Sequence, residues 1–169
     1  MATLMGWTIT ALSAEEEART CARMMSSSEP WVTLGRTYEQ SLAIIRDPTR
    51  EVHLLKNDDT ITGFLILCMT GAFIGYIQTI CIHPEHRGQG LGSRLVAFAE
   101  QRILSEVPNV FMCVSSFNHD ARRLYERLGY HVVGELTDYI VPGHSEILLR
   151  KSIGPLTAGK QGSGAAGQF

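Results

Sequence analysis

Long apolar runs are missing from this sequence. Polar residues break every hydrophobic stretch well before the roughly 20 residues that a bilayer-crossing helix needs, so no spanning segment and no membrane partner are expected. Paired cysteines are missing too. Cys21, Cys68, Cys81 and Cys113 lie far apart with no C-x-x-C spacing, which excludes a disulfide framework and leaves reduced thiols and a cytoplasmic location as the expectation. The opening MATLMGWTITALSAEEE lacks the basic flank of a secretory signal, and Thr8 and Thr10 interrupt its apolar part. No lysine lies between Lys56 and Lys151, so a Gly-Lys-Ser/Thr phosphate loop cannot be built there. Internal repeats and heptads are absent as well.

What is present fits one globular domain. A chain of 169 residues with 44% hydrophobic content can bury roughly 70% of the surface its unfolded form exposes. Net charge is −2, but its distribution is uneven: residues 1–86 carry 6 basic and 10 acidic side chains, residues 87–127 carry 6 and 4, and residues 128–169 carry 3 and 3. That balance disfavours nucleic acid as a partner, whereas the arginines of the middle segment suit a small polyanion.

Periodicity gives the order of elements. Residues 6–12 alternate as an opening strand; Ser13 and Glu16 form a capping-box pattern for a helix to about Met25, and Thr37 with Gln40 opens another from Tyr38 to Arg46. The period then becomes two. EVHLLK, TITGFLILCM and IGYIQTICI read as three consecutive antiparallel strands, followed by a long helix from Gly90. VFMCVSS reads as a strand buried on both faces, DARRLYERL as a helix capped by Asn118 or Asp120 and ended by Gly129, and YHVVGEL and SEILLRK as a last strand pair. The expectation is α/β: a mixed, mostly antiparallel sheet of about seven strands flanked by about four helices, over residues 1–153. Residues 154–169, rich in Gly, Ala and Ser, read as a mobile appendage or a remnant of cloning.

The stretch HPEHRGQGLGSRL sits at the N-terminus of the long helix. Gly88, Gly90 and Gly92 each cost roughly 1 kcal/mol against alanine wherever the backbone is helical, so they need a reason. Small residues feeding a helix N-terminus present free amides to an anion, phosphate above all. The spacing G-x-G-x-G is not the dinucleotide fingerprint G-x-G-x-x-G, which leaves a pyrophosphate cradle headed by Arg87, or a plain turn.

Arg87-x-x-Gly90-x-Gly92, preceded by a strand that ends in a proline, resembles the coenzyme A-binding motif Q/R-x-x-G-x-G/A of the GNAT superfamily of N-acetyltransferases. NHDARRLYERLGY resembles that superfamily's second motif, an Asn opening a helix with a Tyr seven residues later, and the two stand in the right order 28 residues apart from Gly90 to Asn118. The element order matches as well, over about residues 6–152. The resemblance implies acetyl-CoA as co-substrate and a primary amine of a peptide or small molecule as acceptor, in a monomer or homodimer. It implies that backbone groups of Ile80, Cys81 and Ile82 pair with the pantetheine arm, that amides of Arg87, Gly88, Gln89, Gly90, Leu91, Gly92 and Ser93 hold the pyrophosphate, that Asn118 contacts the arm, and that Tyr125 binds there and donates the catalytic proton to sulfur.

One position departs from the pattern. The similar ribosomal-protein alanine N-acetyltransferases carry a glutamate five residues before the Asn; here that position is Cys113, a poor base in an apolar strand. The base is therefore expected to be ordered water or a residue of the final hairpin. The acceptor-binding parts contain Trp31, Tyr76 and Tyr139 as candidate substrate contacts, with Tyr38 and Glu146 nearby in the same segments. His83 and His86 lie in a turn without a third ligand, so no metal is expected. Arg122, Arg123 and Arg127 either steer the cofactor's 3′-phosphate or form a solvated helix face. A binding module without turnover is the alternative to an enzyme: Tyr125 speaks against it, the absent glutamate for it.

Overall fold

Phe64, Leu65, Ile66 and Leu67 are all fully buried, because the strand that carries them has helices on both of its faces. In the computed structural model, which describes residues 2–4 and 6–156, eight β-strands and four α-helices follow one another. They are β1 (Ala2–Leu4), β2 (Trp7–Ala11), α1 (Glu15–Ser26), α2 (Tyr38–Arg46), β3 (Arg50–Asn57), β4 (Thr60–Cys68), β5 (Tyr76–Ile82), α3 (Leu91–Leu104), β6 (Asn109–Ser115), α4 (His119–Arg127), β7 (His131–Leu136) and β8 (Glu146–Ser152). The strands form one sheet in the order β1-β2-β3-β4-β5-β6-β8-β7, parallel only between β5 and β6 and antiparallel elsewhere. This is the expected mixed α/β fold with one additional strand, the three-residue β1. The tail expected over 154–169 lies outside the described residues from 157 onward.

The alternation of β4 divides the core. Phe64 and Ile66 point to the face covered by α1 and α2, where they meet Cys21, Met25, Trp31, Leu42 and Ile45. Leu65 and Leu67 point to the other face, where α3 packs Leu91, Leu95, Val96, Ala99 and Ile103 against the sheet. Both helical faces follow the 3.6-residue spacing of their apolar side chains. No helix among the described residues is long and apolar enough to cross a membrane.

Two local expectations are corrected. The helix α1 is capped one residue later than the Ser13–Glu16 pattern suggests: Ala14 is the N-cap, and the Glu17 carboxylate accepts from the amides of Ser13 (2.9 Å) and Ala14 (3.0 Å). Glu17 wins the position because it also accepts from Lys56 Nζ at 2.7 Å, tying α1 to β3. These bonds hold its carboxyl at about 2, below the ordinary 4.5, with the Lys56 contact the largest cause. A depressed carboxylate stabilises the fold above its unfolded pKa and loses that contribution as pH falls through the folded one. Glu17→Gln should therefore lower stability at neutral pH by about 2 kcal/mol, and the gap in urea midpoint between variant and wild type should shrink as pH falls from about 5 toward 2.

The second correction concerns β6. Val110, Met112 and Val114 are buried against α3, but Phe111 and Cys113 on the opposite face are only half-buried. That face is left uncovered because α1 and α2 sit over β3 and β4, on the other side of the β5–β6 junction.

Candidate active site

The uncovered face opens where β5 and β6 part. They pair at only two positions, Tyr76 with Phe111 and Ile77 with Met112, and the Phe111 amide donates to Gly75 O at 2.9 Å just before them. Gly75 makes this junction possible: at φ +85° a Cβ there would lie 2.5 Å from Asn109 O and 2.6 Å from an Ile103 methyl. Beyond it the register between β4 and β5 slips, leaving Gln78 unpaired between Ile77 and Thr79. A bulge bends and twists its strand, and β5 swings away from β6. The backbone of Thr79 to Ile82 is thus paired with β4 on one side and, among the described residues, with no strand on the side that faces β6, and Ile80 lines the resulting cleft. The Cys81 side chain faces away, into the core under α1 and α2, and Ile82 packs toward α3.

At the end of β5, Pro84–His86 make one turn of 3₁₀-helix and the exposed loop Arg87–Gly90 leads into α3. Arg87 Nε donates to Ile82 O at 3.1 Å, which fastens the loop to the strand. Gly88 and Gly90 have φ of +74° and +75°, which only glycine adopts without strain, and a Cβ on either would meet nothing within 4 Å. Gly90 is the N-cap of α3 and has no side chain to offer; the first intrahelical bond is donated by Arg94, so the amides of Leu91, Gly92 and Ser93 have no acceptor in the helix. The side chain of Leu91 is core. Such a loop could hold an anion through backbone groups alone.

The cleft encloses about 750 Å³ and brings together Ile80, Cys113, Asn118, Tyr125, Trp31, Tyr76 and Tyr139. Asn118 caps α4, its Oδ1 accepting from the Ala121 amide at 3.4 Å. Tyr125 is half-buried on α4, its ring packed edge-on against Tyr130 at 6.2 Å between centroids, and burial pushes its hydroxyl up to about 12. Trp31 is both a core side chain under α1 and a wall of the cleft; Tyr139 is 67% exposed at the rim. In the floor, Ser115 Oγ donates to Glu146 Oε1 at 2.6 Å, a buried bond across the β6–β8 pair. Burial raises the Glu146 carboxyl above the ordinary range, against the pull of the Ser115 hydroxyl. Burial likewise raises the Cys113 thiol; the Tyr76 hydroxyl opposes the shift and the Glu146 charge adds to it.

The model of the acetyltransferase (GNAT) family matches residues 13–130. The chain belongs to that family. Acetyl-CoA is accordingly the acyl donor of this GNAT acetyltransferase. It is 33% identical over 92 residues to the blasticidin-S acetyltransferase of Streptomyces morookaense, a match covering 50% of this chain and 67% of that protein. Among solved structures it superposes on an aminoglycoside 6′-N-acetyltransferase complexed with coenzyme A, with TM-score 0.71 and 16% identity over 88% of this chain and 98% of that one. The spermidine/spermine N-acetyltransferase of Vibrio cholerae superposes with TM-score 0.66 and 19% identity over 87% and 92% of the two chains. At these identities the two structures bear on the fold.

In the GNAT frame some sequence candidates separate from the cleft. Arg87 to Ser93, Cys81 and Ile82 do not line it; the loop stands beyond its end. His86 packs edge-on against Trp7 at 5.6 Å, and no cluster of three metal-ligating side chains exists among the described residues. Arg122 pairs with Glu126 at 2.9 Å and Arg123 with Asp120, as on a solvated helix face. Sequence reasoning missed Arg36 and the Ser115–Glu146 bond. Glu146 had a visible mark: it is the only acid between Asp138 and the C-terminus and stands directly before the apolar run Ile147–Leu149.

Proposed function

We propose that residues 1–153 of this chain transfer an acetyl group from acetyl-CoA to the primary amine of a small molecule or short peptide, with Tyr125 as general acid. The observation that carries this reading is the convergence of Tyr125, Asn118 and Glu146 on one cleft at the point where β5 and β6 part. The residues present suit the donor. The unpaired edge of Thr79 to Ile82 offers strand-like partners to an amide-bearing arm, and the loop Arg87–Ser93 offers amides and room to a pyrophosphate. When bound, acetyl-CoA supplies an acetyl thioester and a sulfur leaving group. Glu146 accepts the proton that the amine gives up as its bond to the acetyl carbon forms, and Tyr125 Oη donates its proton to the sulfur as the carbon–sulfur bond breaks. Solvent returns both groups to their starting states. The proposed setting is the cytoplasm, where the free thiols of Cys21, Cys68, Cys81 and Cys113 stay reduced. Thiol release from acetyl-CoA across an amine library, with product mass, tests the reading; binding of acetyl-CoA without release from any amine would leave only a binding module.

The glycine loop makes a paired prediction. Gly92 lies inside α3 without a positive φ, and a Cβ there would only touch a Leu124 methyl at an ordinary 3.7 Å. Gly92→Ala should therefore stabilise the free protein by up to about 1 kcal/mol while weakening acetyl-CoA binding. Gly90→Val, which adds bulk above the loop, should weaken binding by at least about tenfold. Calorimetric titration with acetyl-CoA checks both, and unchanged affinity in Gly90→Val would remove the loop from the donor site.

A further inference from the structure

Among the described residues two charged side chains line the cleft, and they have opposite sign: Glu146 from β8 and Arg36 from the segment between α1 and α2. Arg36 is held by its own backbone, whose amide donates to Trp31 O at 3.0 Å, so a loop anchored on a buried tryptophan presents it. Its Nε is shut off from solvent and has no hydrogen-bond partner among the described residues. None of the ion pairs among those residues involves Arg36. Partial burial lowers the guanidinium's pKa from its ordinary value. A planar guanidinium that lines the cleft with no ion-pair partner among the described residues fits a carboxylate through two parallel bonds better than any other common group.

We propose that the acceptor is an amine that also carries a carboxylate, an apolar amino acid or short peptide, with its amine at Glu146 and its carboxylate at Arg36. This rests on the amine-transfer reading above. The remaining wall fits the body of such a molecule: Trp31, Leu34, Phe73, Tyr76, Tyr139 and Ile140 offer aromatic and aliphatic surface and no further charge. A polyamine or a polycationic sugar fits poorly. It would bring several ammonium groups to one carboxylate and place at least one of them beside Arg36, a like-charge contact that disfavours the wrong acceptor.

The test uses the full chain with acetyl-CoA and measures thiol release and product mass. L-phenylalanine and glycyl-phenylalanine are each compared with their C-terminal amides, and with phenethylamine and spermidine. At least one of the two acids should exceed its own amide in kcat/KM by about tenfold or more, as expected where a partly buried charge pair is lost. Arg36→Gln should raise KM for that acid by a similar factor while leaving KM for the amide within about twofold, and Arg36→Lys should recover part of the difference. Calorimetric titration with acetyl-CoA, unchanged in Arg36→Gln, shows that the variant is folded. Equal use of acid and amide, preference for spermidine, or an Arg36→Gln effect of the same size on acid and amide would overturn the assignment. Acetyl-CoA binding with no compound of the panel acetylated would overturn this acceptor class and leave amine transfer standing, whereas a chain that does not bind acetyl-CoA would remove both.

Discussion

Tyr125→Phe is expected to lower kcat by about 10²–10⁴-fold while leaving acetyl-CoA affinity unchanged. The substitution removes one oxygen and keeps the ring, so the contact with Tyr130 and the packing of α4 on the sheet survive. The hydroxyl is suited to donating a proton because burial holds its pKa near 12, which keeps it protonated across the working range. Against a free thiol near 8.5 that is an unfavourable transfer. The same apolar surroundings, however, raise the basicity of a thiolate released into the cleft and narrow the difference. With its pKa pushed up to about 12, Tyr125 as the proposed acid should give no falling alkaline limb in the pH–rate profile between pH 6 and about 10. A variant within about twofold of wild-type kcat, with the chemical step shown to limit the rate, would mean that sulfur leaves without this proton.

Much of this architecture is legible in the sequence because its signals are local. The Thr37–Gln40 box opens α2 as its pattern requires, with the Gln40 amide donating to Thr37 Oγ1 at 3.2 Å and the Thr37 amide to Gln40 Oε1 at 3.0 Å. Asn118 caps α4, and the glycine loop meets α3 at Gly90. Each of these depends on residues within a few positions of one another.

What was not legible depends on elements far apart in the chain. Two buried faces were expected for β6, since its composition is apolar throughout; only the absence of a helix over one of them leaves Cys113 facing a cleft. The α1 cap shifted to Glu17 because Lys56, 39 residues away, reaches that carboxylate. Arg36 looks like an ordinary surface arginine between two helices until β5 and β8 bring Tyr76 and Glu146 to the same cavity. The missing glutamate at Cys113 is the clearest case. Ser115 lies two residues along the same strand, and its cross-strand partner is Glu146, so a carboxylate enters the same region of the sheet from β8.

That geometry predicts different outcomes for two neighbouring substitutions. Cys113→Ala should keep kcat/KM within about tenfold of wild type, because burial holds the thiol protonated and no cation beside it favours the thiolate. Glu146→Gln should lose about 10² or more at neutral pH if Glu146 is the base proposed above, because its carboxylate is gone while the Ser115 hydroxyl still has an acceptor. The two pH profiles carry the argument. In wild type and in Cys113→Ala, kcat/KM should rise as Glu146 ionises, on a limb displaced upward from the ordinary carboxylate range by burial. In Glu146→Gln that limb disappears, and the deficit narrows at high pH as the amine loses its proton to bulk water unaided. The reverse pattern, a loss of about 10² in Cys113→Ala with an ionisation near 8.5 removed and Glu146→Gln little changed, would make the thiolate the base and leave Glu146 a structural carboxylate bonded to Ser115.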